Sequence, residues 1–462
     1  MGTDDLSAII LAAGKGTRMK SDLVKVLHPL LGIPMLSYPI DLCLNGINSR
    51  KTIVVVGYQG EKIRASFPDN RLTFVDQGDP LGTGHAVLCT ENHLKGFKGL
   101  ILVLYGDVPL LKADTLRKCI DTHKRNAGAI TVMTAVLENP AGYGRIVRKN
   151  GEWVQRIIEE RDASPQEMSI KEVNTGIYCV DSPFLFEALK QVRTDNTQGE
   201  YYLTDIVAIA NQRKQKVYAF LVEDSTEVMG INTRVDLAKA DEILRNELLA
   251  GMMLDGVSII DPKTTYIDKP VQVGRDTVIY PNCNLQGETI IGERCILEPN
   301  SQITDSRIGS DVVIKAFSVI VESTIDEGAS IGPFARLRPG TEVKRNARIG
   351  NFVEVKKSII GEGTKANHLT YLGDTTVGRG VNIGAGTITC NYDGENKYPT
   401  VIEDSVFVGS NTELVAPVTL KKGSTIGAGS TITKDVPEGA LAISRSKQKT
   451  IRGWKQRKVK KK

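Results

Sequence analysis

The sequence predicts an α/β domain on a mostly parallel sheet, followed by a parallel β-helix of hexapeptide repeats. Two patterns support this fold class. In residues 1 to about 230, continuously apolar runs alternate with helix-like segments, which is typical of strands buried on both faces of a sheet. From residue 273 onward, apolar residues recur with a period of six, and only 5% of all residues are aromatic, which suits a narrow β-helix interior.

The predicted strands of the first domain are residues 7–13, 52–57, 100–106, 129–135, 176–180 and 217–221. Behind them, Thr233 and Asp236 stand three positions apart and predict an N-terminal helix cap. Apolar residues from Leu237 to Met253 continue this helix, which would join the two halves. We therefore expect a first domain at residues 1–231, a linker helix at 232–255, a β-helix at 256–444 and a basic tail at 445–462.

Each hexapeptide repeat carries an apolar residue and, two positions earlier, a small one. The apolar series begins Val273, Ile279, Leu285, Ile291, Leu297 and Ile303, and after five-residue steps it resumes from Ile308 and again from Ile402 to Ile432. Such a repeat cannot bury its face alone, so stacked coils must form the core, with Cys283 and Cys295 as small filler. Glycines such as Gly274, Gly292 and Gly309 follow the apolar residues, and we expect φ > 0 at these corners. Residues 389–400 break the period and predict a loop on the solenoid face.

Charge and cysteine content exclude several classes of protein. The chain holds 59 Lys+Arg against 54 Asp+Glu, a net charge of +5, but ten of the basic residues lie in residues 445–462. We expect residues 458–462 to be a solvated end rather than a nucleic-acid site. No apolar run reaches the length of about 18 residues that a membrane span needs, and the first residues are acidic, unlike a signal peptide. Seven cysteines without C-x-x-C spacing predict neither zinc nor disulfides, so we expect a cytoplasmic protein that binds no membrane.

The first predicted strand ends in a glycine-rich loop, Gly14-Lys15-Gly16-Thr17-Arg18, and Lys25 follows shortly after. Backbone N–H groups of such a loop can approach a phosphate, and the three cations add positive charge. The spacing is that of neither a Walker A loop nor a dinucleotide fingerprint. Taken alone, the loop is either a phosphate site or an ordinary tight turn.

The residues around this loop resemble the sugar-nucleotide pyrophosphorylases, whose opening pattern is L-A-A-G-x-G-T-R followed by P-K. Val24 stands where that family has proline, a departure that removes no functional group. Gln77 and residues 81–86 are similar to the family's uracil-reading segment, and residues 105–110 to its metal segment. Asp107 also follows a buried strand, where ligands bind in open α/β sheets, and its carboxylate with the Asn232 amide oxygen suits Mg²⁺.

The resemblance implies nucleotidyl transfer, in which a sugar phosphate oxygen attacks the α-phosphorus of UTP and pyrophosphate leaves. Arg18 and Lys25 would stabilise the phosphates, and Mg²⁺ on Asp107 and Asn232 would orient both substrates. The substrate-binding residues that the family pattern implies are Leu11, Ala12, Ala13, Gly14, Lys25, Gln77, Gly82, Thr83, Tyr105, Gly106, Gly144, Glu159, Asn174 and Asn232.

His368 is the only histidine after residue 123, and it falls outside the inward positions of the repeat. A solitary surface histidine is usually inert, yet histidine is well suited to take a proton near neutral pH. The surrounding motifs resemble the bacterial bifunctional N-acetylglucosamine-1-phosphate uridyltransferase / glucosamine-1-phosphate N-acetyltransferase family; they are residues 333–339, 350–357, 367–374, 381–387 and 391–394. The resemblance spans the whole chain and implies a left-handed β-helix that assembles as a homotrimer with acetyltransferase sites between subunits.

By the same resemblance, His368 is the general base that deprotonates the glucosamine amine as it attacks the acetyl-CoA thioester. Asn391 would steady the base or the substrate, and the Ala385 backbone N–H would meet the thioester oxygen. The sugar phosphate would be bound by Arg338, Lys356, Tyr371 and Asn382. The coenzyme would be lined by Tyr392, Ser410, Ala428 and Arg445.

The leading hypothesis is thus a chain with two activities in the synthesis of UDP-N-acetylglucosamine, a precursor for peptidoglycan and lipopolysaccharide. The β-helix would acetylate glucosamine-1-phosphate with acetyl-CoA, and the first domain would join N-acetylglucosamine-1-phosphate to UTP. An alternative keeps the nucleotidyltransferase and treats the β-helix as a non-catalytic assembly domain. A third hypothesis is a non-enzymatic interaction protein, against which the intact residues Gly14, Arg18, Lys25 and Asp107 argue.

Overall fold

The computed structural model describes residues 5–149, 151 and 153–454. The prediction of a solvated end at 458–462 therefore lies outside the described residues. The chain divides between Leu244 and Arg245 into two compact units. No helix in the described part of the chain is long and apolar enough to cross a membrane.

The first unit is built on a nine-stranded sheet. Its strands are β1 (Leu6–Leu11), β4 (Lys51–Val56), β5 (Leu72–Asp76), β6 (Leu100–Tyr105), β7 (Ile130–Val136), β8 (Arg145–Lys149), β9 (Trp153–Ile158), β10 (Glu172–Asp181) and β11 (Val217–Leu221). They lie in the order β11-β7-β10-β6-β1-β4-β5, with β8 and β9 as a side branch. A separate pair is formed by β2 (Pro29–Leu30) and β3 (Ile33–Pro34). Strands β1, β4, β5 and β6 are parallel, whereas β10 runs antiparallel to β6 and β7. The predicted mostly parallel sheet is confirmed.

Helices cover both faces of this sheet and create two apolar cores. The helices that contribute to these cores are α1 (Ser37–Asp41), α2 (Gly60–Ser66), α3 (Thr83–Leu88), α4 (Ala113–Asn126), α6 (Ser182–Leu189) and α7 (Asp205–Gln212). Two further helices are α5 (Pro165–Met168) and α8 (Arg234–Leu254), and the division between the units falls within α8. Ile9 and Val103 belong to one core, and their strand neighbours Ile10 and Leu102 belong to the other. Alternate residues of one strand thus enter opposite cores, which explains why these strands are apolar at every position.

Helix α8 begins with the cap that the sequence predicts. The Thr233 hydroxyl accepts a hydrogen bond from Asp236 N at 3.2 Å, and Asp236 Oδ2 accepts one from Thr233 N at 2.8 Å. This reciprocal pair satisfies donors that the first helical turn leaves free.

The second unit is a prism with three faces of short parallel strands. The first face contains Ser258–Ile259, Val278–Ile279, Ile296–Leu297, Val313–Ile314, Ser330–Ile331, Asn382–Ile383, Phe407–Val408, Thr425–Ile426 and Leu441–Ala442; the second contains Tyr266–Ile267, Asn284–Gln286, Gln302–Thr304, Val319–Val321, Arg336–Leu337, Ile388–Cys390, Glu413–Val415 and Thr431–Ile432; the third contains Gln272–Val273, Ile290–Ile291, Arg307–Ile308, Ser323–Ile325, Thr341–Val343, Ile359–Ile360, Thr375–Val377, Thr400–Ile402 and Val418–Leu420. Two longer strands, Arg348–Lys356 and Lys365–Gly373, pass through the corner between the first and second faces.

Each coil of the prism stacks in register on the previous one. Val278 pairs with Ile296, and Ile296 pairs with Val313, so one coil takes 18 and the next 17 residues. The predicted apolar and small positions both point inward: Ile279, Cys283, Leu285 and Cys295 are fully buried. The predicted hexapeptide β-helix is confirmed, and the two cysteines fill its core.

The expectation of positive φ at the glycines behind the apolar residues is wrong for Gly274, Gly292 and Gly309. The left-handed conformation falls two residues later, at Asp276, Arg294 and Asp311. Glycine is needed at the earlier positions because the next coil passes very close. A Cβ on Gly292 would lie 2.6 Å from Ser310 N, which is closer than van der Waals contact permits.

A different corner of the prism carries exposed apolar side chains in the left-handed conformation. Phe317, Phe334 and Phe352 have φ of 59°, 54° and 56°, and Leu369 continues this column with φ of 49°. The rings of neighbouring phenylalanines stack with centroids 5.0 and 5.2 Å apart. We call these four residues the corner ladder; each of them is about half exposed or more.

Candidate active sites

The glycine-rich loop follows β1 and leads into a one-turn 3₁₀ helix at Thr17–Met19. Gly16 has φ of 63°, and a Cβ there would lie 2.5 Å from the Cβ of Lys25. Glycine at this position therefore lets Lys25 pack directly against the loop. No atom lies within 4 Å of the position that a Gly14 Cβ would take, so the backbone at Gly14 is open for a ligand.

A cleft of about 640 Å³ opens where β1, β4, β5 and β6 reach their carboxyl ends. Its lining includes twelve of the sequence-predicted residues: Leu11, Ala12, Ala13, Gly14, Arg18, Lys25, Gln77, Gly82, Thr83, Tyr105, Asp107 and Asn232. Gly106 lies behind the floor, where its N–H donates to Leu11 O at 2.9 Å. This is the edge of an open α/β sheet at which ligands bind.

Four polar side chains converge at one point of the cleft although they are far apart in sequence. Lys25 Nζ donates to Asp107 Oδ2 and, at 3.1 Å, to Asn232 Oδ1. Arg18 Nη2 donates to the same Asn232 oxygen at 2.7 Å. The side chains of Lys25 and Asp107 are only 14% and 17% exposed, so this ion pair is shielded from bulk water.

The two oxygen atoms that face the Lys25 ammonium are those that the sequence assigns to Mg²⁺. One carboxylate and one amide oxygen directed at a single cation are a donor set that Mg²⁺ accepts when phosphates and water complete its shell. Within the described ranges, no three or more His, Cys, Asp or Glu side chains gather as a metal site. A metal here would therefore need the substrate's phosphates as further ligands.

The remaining predicted residues form a second cluster beside Tyr105. Thr204 Oγ1 donates to Glu159 Oε1 at 3.3 Å, and Asn174 N donates to Gly144 O at 2.9 Å. Burial raises the pKa of Glu159, and the Thr204 hydrogen bond opposes that shift. Burial, followed by the charges of Glu159 and Asp107, raises the pKa of the Tyr105 phenol. Tyr105 thus feels the charges of both clusters.

The cleft also contains residues that the sequence prediction missed, among them Tyr58, Pro80 and Glu200. Glu200 belongs to the segment after Gly199, which two backbone hydrogen bonds hold against residues 81–84. Tyr201 N donates to Leu81 O and Gly84 N donates to Tyr201 O, both at 2.8 Å. The available signal was the polar run at residues 193–200, which ends at Glu200 and precedes helix α7.

On the prism, His368 belongs to a column of predicted residues at the corner between the first and second faces. Lys365 pairs with Asn382, Asn382 pairs with Phe407, and Phe407 pairs with Thr425. The residues three positions after these four therefore stack on successive coils; they are His368, Ala385, Ser410 and Ala428. Arg445 Nη1 donates to Ala428 O at 2.7 Å and extends this column. His368, Ser410 and Ala428 are exposed. The predicted base and most of the predicted coenzyme contacts are therefore aligned along one corner.

A second group lies further along the same strand, on the second face. Tyr371 follows His368 by three residues, about 10 Å along an extended strand. Lys356 pairs with Gly373 in the parallel register. The Tyr371 hydroxyl and the Asn391 amide nitrogen both lie next to Gly373, close to the position that a Cβ would take there. Asn391 Nδ2 donates to Asp374 Oδ2 at 2.5 Å, and Arg338 Nη1 donates to Glu354 Oε1 at 2.9 Å.

Lys397 joins this second group and was not predicted from the sequence. Contact with the Lys356 ammonium lowers the pKa of Lys397, and the charge of Asp374 opposes that shift. Two neighbouring ammonium groups of this kind suit an anion such as a phosphate. The position of Lys397 in the loop at residues 389–400 was the only sequence signal.

Two further predicted residues, Asn382 and Tyr392, differ in their position relative to these groups. Asn382 lies on the first face in register with Lys365 and Phe407. Tyr392 borders the second group, because it forms a β-bridge with Lys397. It is 59% exposed, and its hydroxyl donates only to Gly394 O within the described part of the chain.

Comparison with known proteins agrees with both units. A family model described as nucleotidyl transferase matches residues 7–241, and one described as bacterial transferase hexapeptide matches residues 270–305 and 399–434. The fold and the two sites thus define a nucleotidyltransferase joined to a hexapeptide-repeat acetyltransferase.

Curated relatives match both units in a single alignment. The bifunctional protein GlmU of Geotalea uraniireducens is 50% identical over 98% of this chain and 100% of its own length. The GlmU proteins of Geotalea daltonii and Shouchella clausii are 51% and 47% identical, over 97% and 96% of this chain and 98% and 96% of their own lengths. The chain belongs to the GlmU family of bifunctional enzymes. It is a uridyltransferase and an acetyltransferase in one polypeptide, and the hypothesis of a non-catalytic β-helix is not favoured.

Proposed function

We propose that the cleft of the first unit transfers a uridylyl group from UTP to N-acetylglucosamine-1-phosphate. The convergence of Arg18, Lys25, Asp107 and Asn232 supports this proposal most directly. The sugar phosphate oxygen would attack the α-phosphorus, the bond to the β-phosphate oxygen would break, and pyrophosphate would leave. Arg18 and Lys25 would neutralise the phosphate charge, and the glycine-rich loop would hold the phosphates through its backbone N–H groups.

The donor set fits Mg²⁺ held by Asp107 and Asn232. When bound, Mg²⁺ would supply charge neutralisation and a template for the phosphate oxygens. Gln77, Gly82 and Thr83 would read the uracil. The cluster of Gly144, Glu159 and Asn174 beside Tyr105 would bind the sugar.

The corner column of the prism would carry acetyl transfer to glucosamine-1-phosphate. The amine nitrogen attacks the carbonyl carbon of acetyl-CoA, the carbon–sulfur bond breaks, and the coenzyme leaves as its thiolate. His368 takes the proton that the amine loses, and the Ala385 N–H donates to the developing oxyanion. Arg338, Lys356, Tyr371 and Lys397 would hold the sugar phosphate, and Ser410, Ala428 and Arg445 would contact the coenzyme.

The two reactions would run in sequence, because the acetylated product of the β-helix is the substrate of the first domain. We assign uridylyl transfer to residues 1–231, acetyl transfer to residues 256–444 and the connection to the helix within residues 232–255. Arg445, at the start of the basic tail at 445–462, would serve the coenzyme. All seven cysteines are free, which supports a reducing, cytoplasmic location.

The corner ladder supports assembly of the β-helix as a homotrimer. A left-handed φ costs a non-glycine residue about 1–2 kcal/mol, and a stacked aromatic pair returns about 0.5–1.5 kcal/mol. Stacking alone therefore does not offset the strain and the exposure of Phe317, Phe334 and Phe352. Packing against a second copy of the chain would bury these rings. It would also bring Asn382 and Tyr392 of one subunit to the column of another.

Two substitutions test whether the two activities belong to the two sites. His368→Ala should abolish release of CoA from acetyl-CoA and glucosamine-1-phosphate, and release of pyrophosphate from UTP and N-acetylglucosamine-1-phosphate should persist. Asp107→Ala should produce the opposite pattern. Each variant is the control for the other, because both reactions are measured on the same preparation.

The His368 assignment would be wrong if acetyl transfer were equal in the variant and the wild type. The metal assignment would be wrong if Asp107→Ala left the uridyltransferase rate unchanged across a Mg²⁺ titration. One incubation of the wild type with glucosamine-1-phosphate, acetyl-CoA, UTP and Mg²⁺ should yield UDP-N-acetylglucosamine by mass.

A further inference from the structure

We propose that Asn351 is a positioning residue for His368: its side-chain oxygen accepts a hydrogen bond from the imidazole and fixes which ring nitrogen is free to take a proton. This inference rests on the proposed role of His368 as the acetyltransferase base. It concerns a residue of the 350–357 segment to which the sequence assigned no role.

Asn351 and His368 occupy neighbouring rungs of the same ladder. Asn351 lies on the strand Arg348–Lys356, His368 lies on the strand Lys365–Gly373, and the two residues pair directly in the parallel register. Adjacent strands in a sheet are about 4.8 Å apart. Side chains stacked at that spacing reach hydrogen-bond distance by a change of rotamer.

The side-chain oxygen of Asn351 is buried and accepts no hydrogen bond from any residue that the structure describes. A buried polar atom without a partner is destabilising and rare in folded proteins, so such an atom needs an explanation. The residue below Asn351 in the stack is Pro333, since Ile331 pairs with Ile349 and Arg336 with Glu354. Proline offers no donor, whereas the residue above, His368, carries a ring N–H.

The nearby carboxylates do not fill this role, because other partners engage them. Glu354 accepts from Arg338 at 2.9 Å, and Asp374 accepts from Asn391 at 2.5 Å. The Asn351 backbone is also held in place, because the adjacent Phe352 ring stacks on Phe334 at 5.2 Å. Asn351 thus has the position, the free acceptor and the fixed backbone that a positioning residue requires.

A neutral acceptor at this position has a clear chemical use. A neutral imidazole carries one proton, and the nitrogen that keeps it is set by the hydrogen bond it makes. With its N–H donated to Asn351, His368 presents the other nitrogen to the amine of the substrate. After the proton transfer, the same hydrogen bond stabilises the imidazolium, since both ring nitrogens are then donors.

The test compares Asn351→Leu, which removes the acceptor, with Asn351→Asp, which keeps the acceptor and adds a charge. The matched control is Asn284→Leu, at a half-buried asparagine four coils below Asn351 on the second face. The kcat and KM of acetyl transfer are measured between about pH 5.5 and 9, together with ¹⁵N NMR spectra of the imidazoles. The His368 signal is assigned by its loss in His368→Ala.

We expect Asn351→Leu to lower kcat by about 10- to 100-fold with little change in KM, and to mix the two His368 tautomers in the ¹⁵N spectrum. Asn351→Asp should recover part of the rate and shift the acidic limb of the pH profile upward by about one unit, because a carboxylate favours the imidazolium. The other ionisable groups near His368 are unchanged in these variants; they are Arg348, Glu354, Lys356, Lys365, Tyr371 and Arg445.

Wild-type kcat and tautomer in Asn351→Leu would overturn the inference. An equal loss of rate in both variants with an unmoved acidic limb would overturn it too, because that is the result of a purely structural role. If Asn351→Leu fails to fold, the isosteric Asn351→Asp decides by its pH limb. Full activity of His368→Ala would instead show that the proposed function is wrong. Loss of activity there with normal Asn351 variants would refute this inference alone.

Discussion

Lys25 occupies the point toward which two oxygen atoms of the nucleotidyltransferase cleft are directed. Its ammonium contacts Asp107 and Asn232, which lie 82 and 207 positions away in the chain. Those oxygens are also the proposed ligands of Mg²⁺. A cationic side chain and a divalent cation at one site repel each other, so binding of the proposed metal would require Lys25 to move toward the phosphates of the substrate.

Lys25→Met should therefore strengthen binding of a divalent cation to the enzyme without nucleotide. Removal of a unit charge about 4 Å from a divalent ion predicts a gain of about thirtyfold in affinity, measured with Mn²⁺ by electron paramagnetic resonance. The same variant should lose most of its uridyltransferase activity, because in the proposed function Lys25 would also neutralise phosphate charge. Lys15→Met is the control, since Lys15 lines the cleft and should leave Mn²⁺ affinity unchanged. Equal or weaker Mn²⁺ binding by Lys25→Met would contradict the competition.

At this scale the sequence motifs identified most of the cleft but not its internal contacts. Gly14 and Asp107 are recognisable because each follows a buried strand, and Lys25 is recognisable from the opening pattern of the pyrophosphorylases. That the amide oxygen of Asn232 is shared by Arg18 and Lys25 depends on the return of the chain after β11, which no local pattern encodes. Glu200 and Lys397 were missed for the same reason.

The second unit is built from stacked coils, and backbone contacts between neighbouring coils determine which substitutions a coil accepts. The six-residue period was sufficient to predict these coils and their buried positions. The period did not predict the conformation of the glycines. Glycine is required both where another backbone passes close by and where φ is positive, and the sequence alone does not distinguish these two causes. The structure separates the two causes at Gly292, which has an ordinary φ but no room for a Cβ.

Gly292→Ala should destabilise the β-helix by about 2–3 kcal/mol, since the added methyl group would push against the backbone at Ser310. Calorimetry of the full chain should show a lower unfolding temperature for the β-helix unit. Gly251→Ala is the matched control of opposite sign: no atom lies within 4 Å of its Cβ position in helix α8. That change should leave stability unchanged or raise it by up to about 1 kcal/mol. A Gly292→Ala protein as stable as the wild type would contradict the close-approach explanation.

At the scale of the whole molecule, the corner ladder and the column that contains His368 and Ala428 lie side by side at one corner of the prism. Phe352 directly follows Asn351, and Leu369 directly follows His368. A partner subunit packed on the ladder would thus adjoin the acetyltransferase residues. The sequence revealed the family and the two activities but not the ladder. The spacings of 17 and 18 residues between Phe317, Phe334 and Phe352 gain meaning only once the structure gives the length of a coil.

Phe352→Asp should dissociate the proposed trimer, because it places a charge among stacked rings that a second copy would bury. Sedimentation should show a smaller species, acetyl transfer should fall by about tenfold or more, and uridylyl transfer should stay near the wild-type rate. Tyr280→Asp is the control, an exposed aromatic residue of the lower coils outside the ladder. An unchanged sedimentation coefficient for Phe352→Asp would refute the ladder as the trimer contact.

Because the coils of the prism stack in register, the number of coils below a residue determines its height along the axis of the prism. Adding or deleting one complete coil below Phe317 would leave the residues of the column that contains His368 and Ala428 aligned with one another. The same change between Asn351 and Ala428 would move partner residues apart by about 5 Å. The lower coils can therefore change in number without disturbing this site, whereas the proposed acetyl transfer would fix the number of coils from Asn351 to Ala428.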